Sequence, residues 1–162
     1  FVIITNSAGS LRKNYHPGTL MAMNGHIDCT FIEGPELPTI NKKPRFYNSE
    51  LLALAKKCSL KTGVQIKEGV YCWTLGPAYE TPDEVKFIQN LGGDAVGMST
   101  VPEIQMAGEL GISSLGISCL TNFAAGITKN PLSHDEVIET ADKEKNQFSK
   151  LVTKILIEAD TN

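Results

Sequence analysis

The chain has 162 residues, of which 41% are hydrophobic and 20% charged, and it carries a net charge of −3. This length fits one domain and this composition a folded globular protein, while the slight acidity offers no footprint for nucleic acid. No apolar run approaches the ~20 residues of a membrane span and no signal-peptide pattern is visible, so the cytoplasm is the expected setting.

The chain opens on Phe1-Val2-Ile3-Ile4-Thr5, without a Met. Val2 to Thr5 read as a buried strand, and Asn6 to Ser10 as a small-residue turn. A core strand rarely begins a domain without a lead-in. The pattern therefore points to further chain upstream, and to an open apolar edge that promotes self-association. Gly18 to Met23 form a second, weaker strand. Cys29 to Pro44 contain Pro35 and Pro38 as well and show no clean period, so they read as a long loop. Ser49 to Leu60 carry Leu51, Leu52, Leu54 and Ala55 at helical spacing, and Gly63 stops that helix. Val64 to Leu75 return to strand character, in one piece or in two broken near Glu68-Gly69.

Thr81-Pro82-Asp83-Glu84 opens the next helix as a capping box and runs to Leu91. Ala95 to Met98 form a short strand. Thr100-Val101-Pro102-Glu103 makes a second capping box and a helix to Leu110, and Ile112 to Leu120 another strand. Thr121 to Leu132 read as a loop. Ser133-His134-Asp135-Glu136 is a third capping box, and the last helix places Val137, Ala141, Phe148, Val152 and Ile155 on one face. Strand, loop and helix thus alternate repeatedly. This is an α/β fold with helices packed on a largely parallel sheet. In such sheets ligands bind beyond the carboxyl ends of the strands.

The tracts at those ends hold the candidate residues. Gly76-Pro77-Ala78-Tyr79-Glu80-Thr81 sets a ring beside a carboxylate just before a helix cap. Glu80 either complements the helix dipole or accepts a hydrogen bond from a ligand N–H. Tyr79 either half-buries a strand end or covers a ligand ring. Asn122 either closes an Asx turn or offers a neutral amide that donates and accepts, suited to a heterocycle with adjacent acceptors. Ser99 is a turn serine or part of an anion site before a helix. Ser7, with Ala8 and Gly9, is a second place where backbone N–H groups could meet phosphate. His134 sits in a first helical turn, where the dipole favours neutral imidazole; it is either an exposed helix-start residue or a partner for a ligand hydroxyl. The cysteines (Cys29, Cys58, Cys72, Cys119) are widely spaced with no CxxC, so reduced, mostly buried thiols and no zinc site are expected. No Ser-His-Asp catalytic-triad pattern, HExxH or Walker pattern occurs. The expected chemistry is positional and electrostatic, with no metal.

Taken together, Thr5-Asn6-Ser7-Ala8-Gly9, the Gly76 to Thr81 tract, Gly97-Met98-Ser99-Thr100-Val101-Pro102-Glu103, and Thr121-Asn122-Phe123-Ala124-Ala125-Gly126 with Leu132-Ser133-His134 resemble the trimeric, low-molecular-mass purine nucleoside phosphorylases. The resemblance implies a three-layer nucleoside phosphorylase fold, with a central mixed, largely parallel sheet flanked by helices. It implies a pentosyltransferase of purine salvage that cleaves inosine or guanosine with inorganic phosphate, giving free base and ribose 1-phosphate. Phosphate is a co-substrate and no cofactor is implied. Glu80 would accept from purine N1–H, and Asn122 would hold N7 and the 6-oxo group. Tyr79 and Val96 would pack on the base. Tyr71, Met98 and His134 would contact ribose, and Ser99 and the Ser7 backbone phosphate. Phe46 resembles the aromatic that reaches into a neighbouring subunit's site of a homotrimer. Asn122, where the methylthioadenosine phosphorylases carry Asp, implies 6-oxopurines. The family's Asp-His-Ile-Asn tract stands here as Gly25-His26-Ile27-Asp28. Its glycine-rich phosphate loop and phosphate-binding arginine would lie upstream of Phe1. Residues 1–162 would then be the C-terminal part of one phosphorylase domain. They form either part of the enzyme or an inactive remnant that keeps the fold and binds purine weakly.

Overall fold

A computed structural model of the chain describes residues 1–32, 34–129 and 134–160. Among the described residues, five strands and four helices follow in the order β1 (Val2–Ser10), β2 (Leu20–Asp28), α1 (Ser49–Thr62), β3 (Ile66–Trp73), α2 (Pro82–Asn90), β4 (Ala95–Gly97), α3 (Val101–Glu109), β5 (Ser114–Phe123) and α4 (His134–Asp160). The sheet is mixed and closes on itself in the order β1-β4-β3-β2-β5. β1 runs parallel to β5, and β2 to β3 to β4. The two groups join antiparallel, through Gly9–Val96 and Ser10–Ala95 on one side and through Leu20 to Ala22 against Ile117 to Cys119 on the other. That closure is short. The flank of β1 from Val2 to Ser7 that faces away from β5 pairs with no strand among the described residues.

Three strands outrun the expectation from sequence. Asn6 to Ser10 are not a turn but the second half of β1, in register with Ser118 to Phe123 and bulged between Ala8 and Gly9. Their small polar side chains mimic a turn, yet the parallel partner takes up their backbone groups. β2 likewise continues past Met23 to Asp28 through a bulge between Met23 and Gly25. His26, polar and 2% exposed, hides that continuation from any hydrophobic pattern. β3 is one piece, and β5 extends through Thr121 and Asn122, which had read as loop.

The helices cover the sheet from several sides. Leu51, Ala55 and Cys58 of α1 and Leu151 and Ile155 of α4 pack on Leu20 and Ala22 of β2 and Leu115, Ile117 and Cys119 of β5. Full burial of Leu151 and Ile155 contributes roughly 1.5–3 kcal/mol each. Val101 and Ile104 of α3 close a second cluster over Ala8, Met21, Met23, Tyr71, Ala95 and Leu120. Val85 and Ile88 of α2 close a third over Ile27, Val70, Cys72 and Val96.

The caps follow the sequence in one case and depart from it in another. At α2 the Thr81 hydroxyl accepts from the Glu84 N–H while the Glu84 carboxylate accepts from the Thr81 N–H, a complete capping box. At α3 no such box forms. Thr100 has φ +80° and makes no side-chain cap bond. Its hydroxyl is taken instead by the Asn6 amide, which donates to it at 2.7 Å. The box expected at Ser133 lies outside the described residues.

Candidate active site

The carboxyl ends of β1, β4 and β5 and the loop after β3 converge on one cavity of about 240 Å³. Register explains the convergence. Gly9 of β1 is paired with Asn122 of β5 and with Val96 of β4. Three chain segments far apart in sequence therefore meet at a single glycine. A Cβ at Gly9 would lie 3.4 Å from Asn122 Nδ2, in ordinary van der Waals contact, so it is the strand register and not the lack of a side chain that brings the segments together.

Seven of the ten residues singled out from the sequence line this cavity: Ser7, Tyr79, Glu80, Val96, Met98, Ser99 and Asn122. The loop that carries Tyr79 and Glu80 leaves β3 through Gly76, with φ +71°, and a cis Gly76–Pro77 bond. A Cβ at Gly76 would overlap the Met98 sulfur, so this turn requires glycine. Tyr79 is 45% exposed and forms one wall. The Glu80 carboxylate accepts a hydrogen bond from the Thr74 hydroxyl at 2.7 Å. Asn122 is buried. Its Oδ1 accepts from the Thr121 hydroxyl at 3.1 Å and its Nδ2 donates to the Phe123 carbonyl at 3.0 Å. One amide N–H and one lone pair of Asn122 remain for a ligand.

Ser7 and Ser99 also line the cavity. Ser99 Oγ lies 3.1 Å from Thr100 Oγ1, which also receives the Asn6 amide. The β-branched Thr100 is held in a backbone region such residues rarely adopt. Its contacts to Asn6 and Ser99 fix it there, and the turn sets Ser99 at the cavity wall. Asn6 Oδ1 is buried and has no hydrogen-bond partner among the described residues.

Three sequence candidates fall elsewhere. Tyr71 is fully buried beneath the site. Its phenol oxygen accepts from the Ser99 N–H at 3.4 Å, and burial pushes its ionisation up to about 12. It supports the wall and does not line it. His134, the first residue of α4, is exposed at the rim, where its Nδ1 shares a 3.2 Å hydrogen bond with the Tyr79 hydroxyl. Val137, one turn on, reaches the cavity. Phe46 is 3% exposed and packs in the core cluster under α3, with the Arg45 guanidinium 4.6 Å from its ring centre. The structure does not bring it to this cavity.

Sequence reasoning passed over Thr74, Thr121, Asn6 and Thr100. Apart from the capping-box spacing at Thr100, none carries a spacing signal, because each meets its partner through tertiary pairing or a turn. Among the described residues no lysine, arginine or histidine lines the cavity.

A profile of the phosphorylase superfamily matches residues 2–157. The chain belongs to the phosphorylase superfamily. Purine nucleoside phosphorylase 1 of Geobacillus stearothermophilus is 43% identical over 162 residues, covering 96% of this chain and 59% of the relative. A probable 6-oxopurine nucleoside phosphorylase of Moorella thermoacetica is 35% identical, covering 96% of this chain and 63% of the relative. The crystal structure of Schistosoma mansoni purine nucleoside phosphorylase in complex with inosine superposes with a TM-score of 0.84 at 27% identity, over 95% of this chain and 59% of that one. The chain thus spans about 60% of the length of these phosphorylases. The matched range runs from β1 into α4 and contains every residue of the cavity. Among the described residues no helix is long and apolar enough to cross a membrane.

Proposed function

We propose that this superfamily chain carries the purine-recognising part of a purine nucleoside phosphorylase acting on 6-oxopurine nucleosides. The observation that carries the reading is the grouping of Glu80, Asn122 and Tyr79 in one cavity that Ser7 and Ser99 also line. A carboxylate is an acceptor only and selects a purine bearing N1–H. The spare N–H of Asn122 suits N7, an acceptor in the nucleoside. Relatives named for purine nucleosides, one of them for 6-oxopurines, support the same substrate class.

The chemistry follows from where charge develops. As the glycosidic bond lengthens, negative charge builds on the purine and positive charge on the ribose. A donor at N7 stabilises the leaving base in the transition state more than in the ground state. Phosphate, as co-substrate beside Ser7 and Ser99, would stabilise the cationic ribose and capture it at C1′. No covalent enzyme intermediate and no cofactor is required. His134 at the rim would meet the ribose 5′-hydroxyl, close to the Tyr79 hydroxyl that it already contacts.

A second reading has one observation in its favour. The cavity is lined by no cationic side chain among the described residues, and a phosphate dianion is held best by an arginine fork. On that reading the chain alone binds base but does not catalyse phosphorolysis. Incubating the pure chain with inosine and phosphate separates the two. Hypoxanthine release, abolished in Glu80→Ala, supports the enzyme. Hypoxanthine binding by calorimetry without release supports base recognition alone. Release that persists in Glu80→Ala would refute the assigned site.

A further inference from the structure

Glu80 owes its orientation to one neighbour. β3 ends at Trp73, and the next residue, Thr74, is still fixed to the sheet because its N–H donates to the Gly97 carbonyl at 2.9 Å. The chain then leaves the sheet through Gly76 and returns so that Glu80 lies over Thr74. The intervening loop has little packing of its own: Leu75 is 57% and Tyr79 45% exposed. Among the described residues, Thr74 is the sole hydrogen-bond partner of the Glu80 carboxylate.

The Thr74 hydroxyl has two acceptors in reach, Glu80 Oε1 at 2.7 Å and the Gly97 carbonyl at 3.4 Å. It has one proton to give, and the shorter, charge-assisted bond takes it. A β-branched side chain on an anchored backbone has a stiff χ1, so the hydroxyl is a fixed donor. It occupies one carboxylate oxygen and leaves Oε2 for a ligand. A carboxylate on an exposed loop samples several rotamers, whereas one tied at Oε1 presents Oε2 in a single direction.

We propose that Thr74 is the positioning residue that aims the Glu80 carboxylate at the purine N1–H, and thereby sets the preference for purines bearing that proton. The proposal rests on the base-recognition reading above. It adds a residue that does not itself touch the base.

Calorimetric titration of the full chain with two probes tests it. Hypoxanthine carries N1–H, whereas 6-methoxypurine keeps N7 and an oxygen at C6 but has no N1–H. Thr74→Val should weaken hypoxanthine about 3- to 10-fold, the size expected for one lost orienting hydrogen bond. It should leave 6-methoxypurine within about twofold. Thr74→Ser restores the hydroxyl and should restore hypoxanthine affinity. Thr74→Ala, which removes the hydroxyl without adding bulk, is run beside Thr74→Val in case the valine perturbs folding, and circular dichroism checks both. Equal weakening of the two probes would overturn the proposal, because it signals a general loss of structure. Wild-type hypoxanthine affinity in both Thr74→Val and Thr74→Ala, with affinity lost in Glu80→Ala, would overturn Thr74 while leaving Glu80 in place. Failure of the wild-type chain to bind hypoxanthine, or equal affinity in wild type and Glu80→Ala, would overturn the base-recognition reading and this proposal with it.

Discussion

Lowering the pH should destabilise the fold through His26. This side chain is 2% exposed, with Nδ1 2.6 Å from the Tyr47 hydroxyl and Nε2 3.3 Å from the Gln105 side-chain nitrogen. The Gln105 amide N–H donates, so Nε2 must accept and Nδ1–H donates to Tyr47. That arrangement needs a neutral ring. Burial holds the His26 ionisation down at about 4, against an ordinary value of 6.5, and Asp28 opposes only weakly. The unfolded chain takes up a proton near pH 6.5 and the folded chain only near pH 4. Between those values the unfolded state holds more protons, so stability is lost as pH falls through the window. From pH 7 to pH 4.5 the loss from this one residue is about 2.5 kcal/mol. Urea unfolding at a series of pH values measures it. Carboxylates titrate over the same range, so His26→Gln, which keeps a neutral hydrogen-bonding side chain, is the control. The wild type should lose about 2.5 kcal/mol more than the variant between pH 7 and pH 4.5. Parallel loss in the two proteins would refute the assignment of a neutral, buried His26.

Other outcomes can be measured directly. Asn122→Asp replaces an amide donor by an acceptor and should shift the ratio of kcat/KM, or of base affinity where the chain does not turn over, from inosine or hypoxanthine toward adenosine or adenine; an unchanged ratio would count against the Asn122 role. Ile155→Ala empties a fully buried position between α1, α4 and β5. It should cost about 2–5 kcal/mol in chemical denaturation, and a cost under about 1 kcal/mol would show that α4 packs loosely there. Gly76→Ala sets a methyl against the Met98 sulfur at a left-handed position. It should abolish hypoxanthine binding while circular dichroism stays native. The unpaired flank of β1, uncharged from Val2 to Ser7, should drive association at high concentration. Light scattering of the wild type should show mass above a monomer, reduced by Thr5→Lys on the exposed edge, and a monodisperse wild-type monomer would contradict the edge argument.

Much of the site was legible because it uses residues with strong local grammar. Thr81-Pro82-Asp83-Glu84 marks a helix start by caps alone, and that start places Glu80 at its threshold. The run Ile117 to Leu120 marks a buried strand, and Asn122 near its end is the first residue there with a free amide. Phe46 and Tyr71 do not line this cavity, and nothing local in the sequence marks that. An aromatic near a motif has no local mark that tells a wall from the core beneath it. Tyr71 lies under the site because β3 is buried on both faces from Gly69 to Cys72 and Gly97 leaves room for its hydroxyl. Thr100 misled differently. Its capping-box spacing is genuine, but the Asn6 amide across the sheet claimed its hydroxyl first.

The sequence by itself determined the alternation of strands and helices, the place of the cavity at strand ends and the identity of the acid, amide and ring that line it. These rest on period, caps and turn residues, which act within a few positions along the chain. Only the tertiary structure decided that the sheet closes through Gly9 and Ser10, that β1 and β2 run on through bulges, and that Thr74 holds Glu80 while Tyr47 and Gln105 hold His26. Each of those depends on which strand lies beside which and in what register. Register is fixed by packing across the whole domain, and no local stretch of residues contains it.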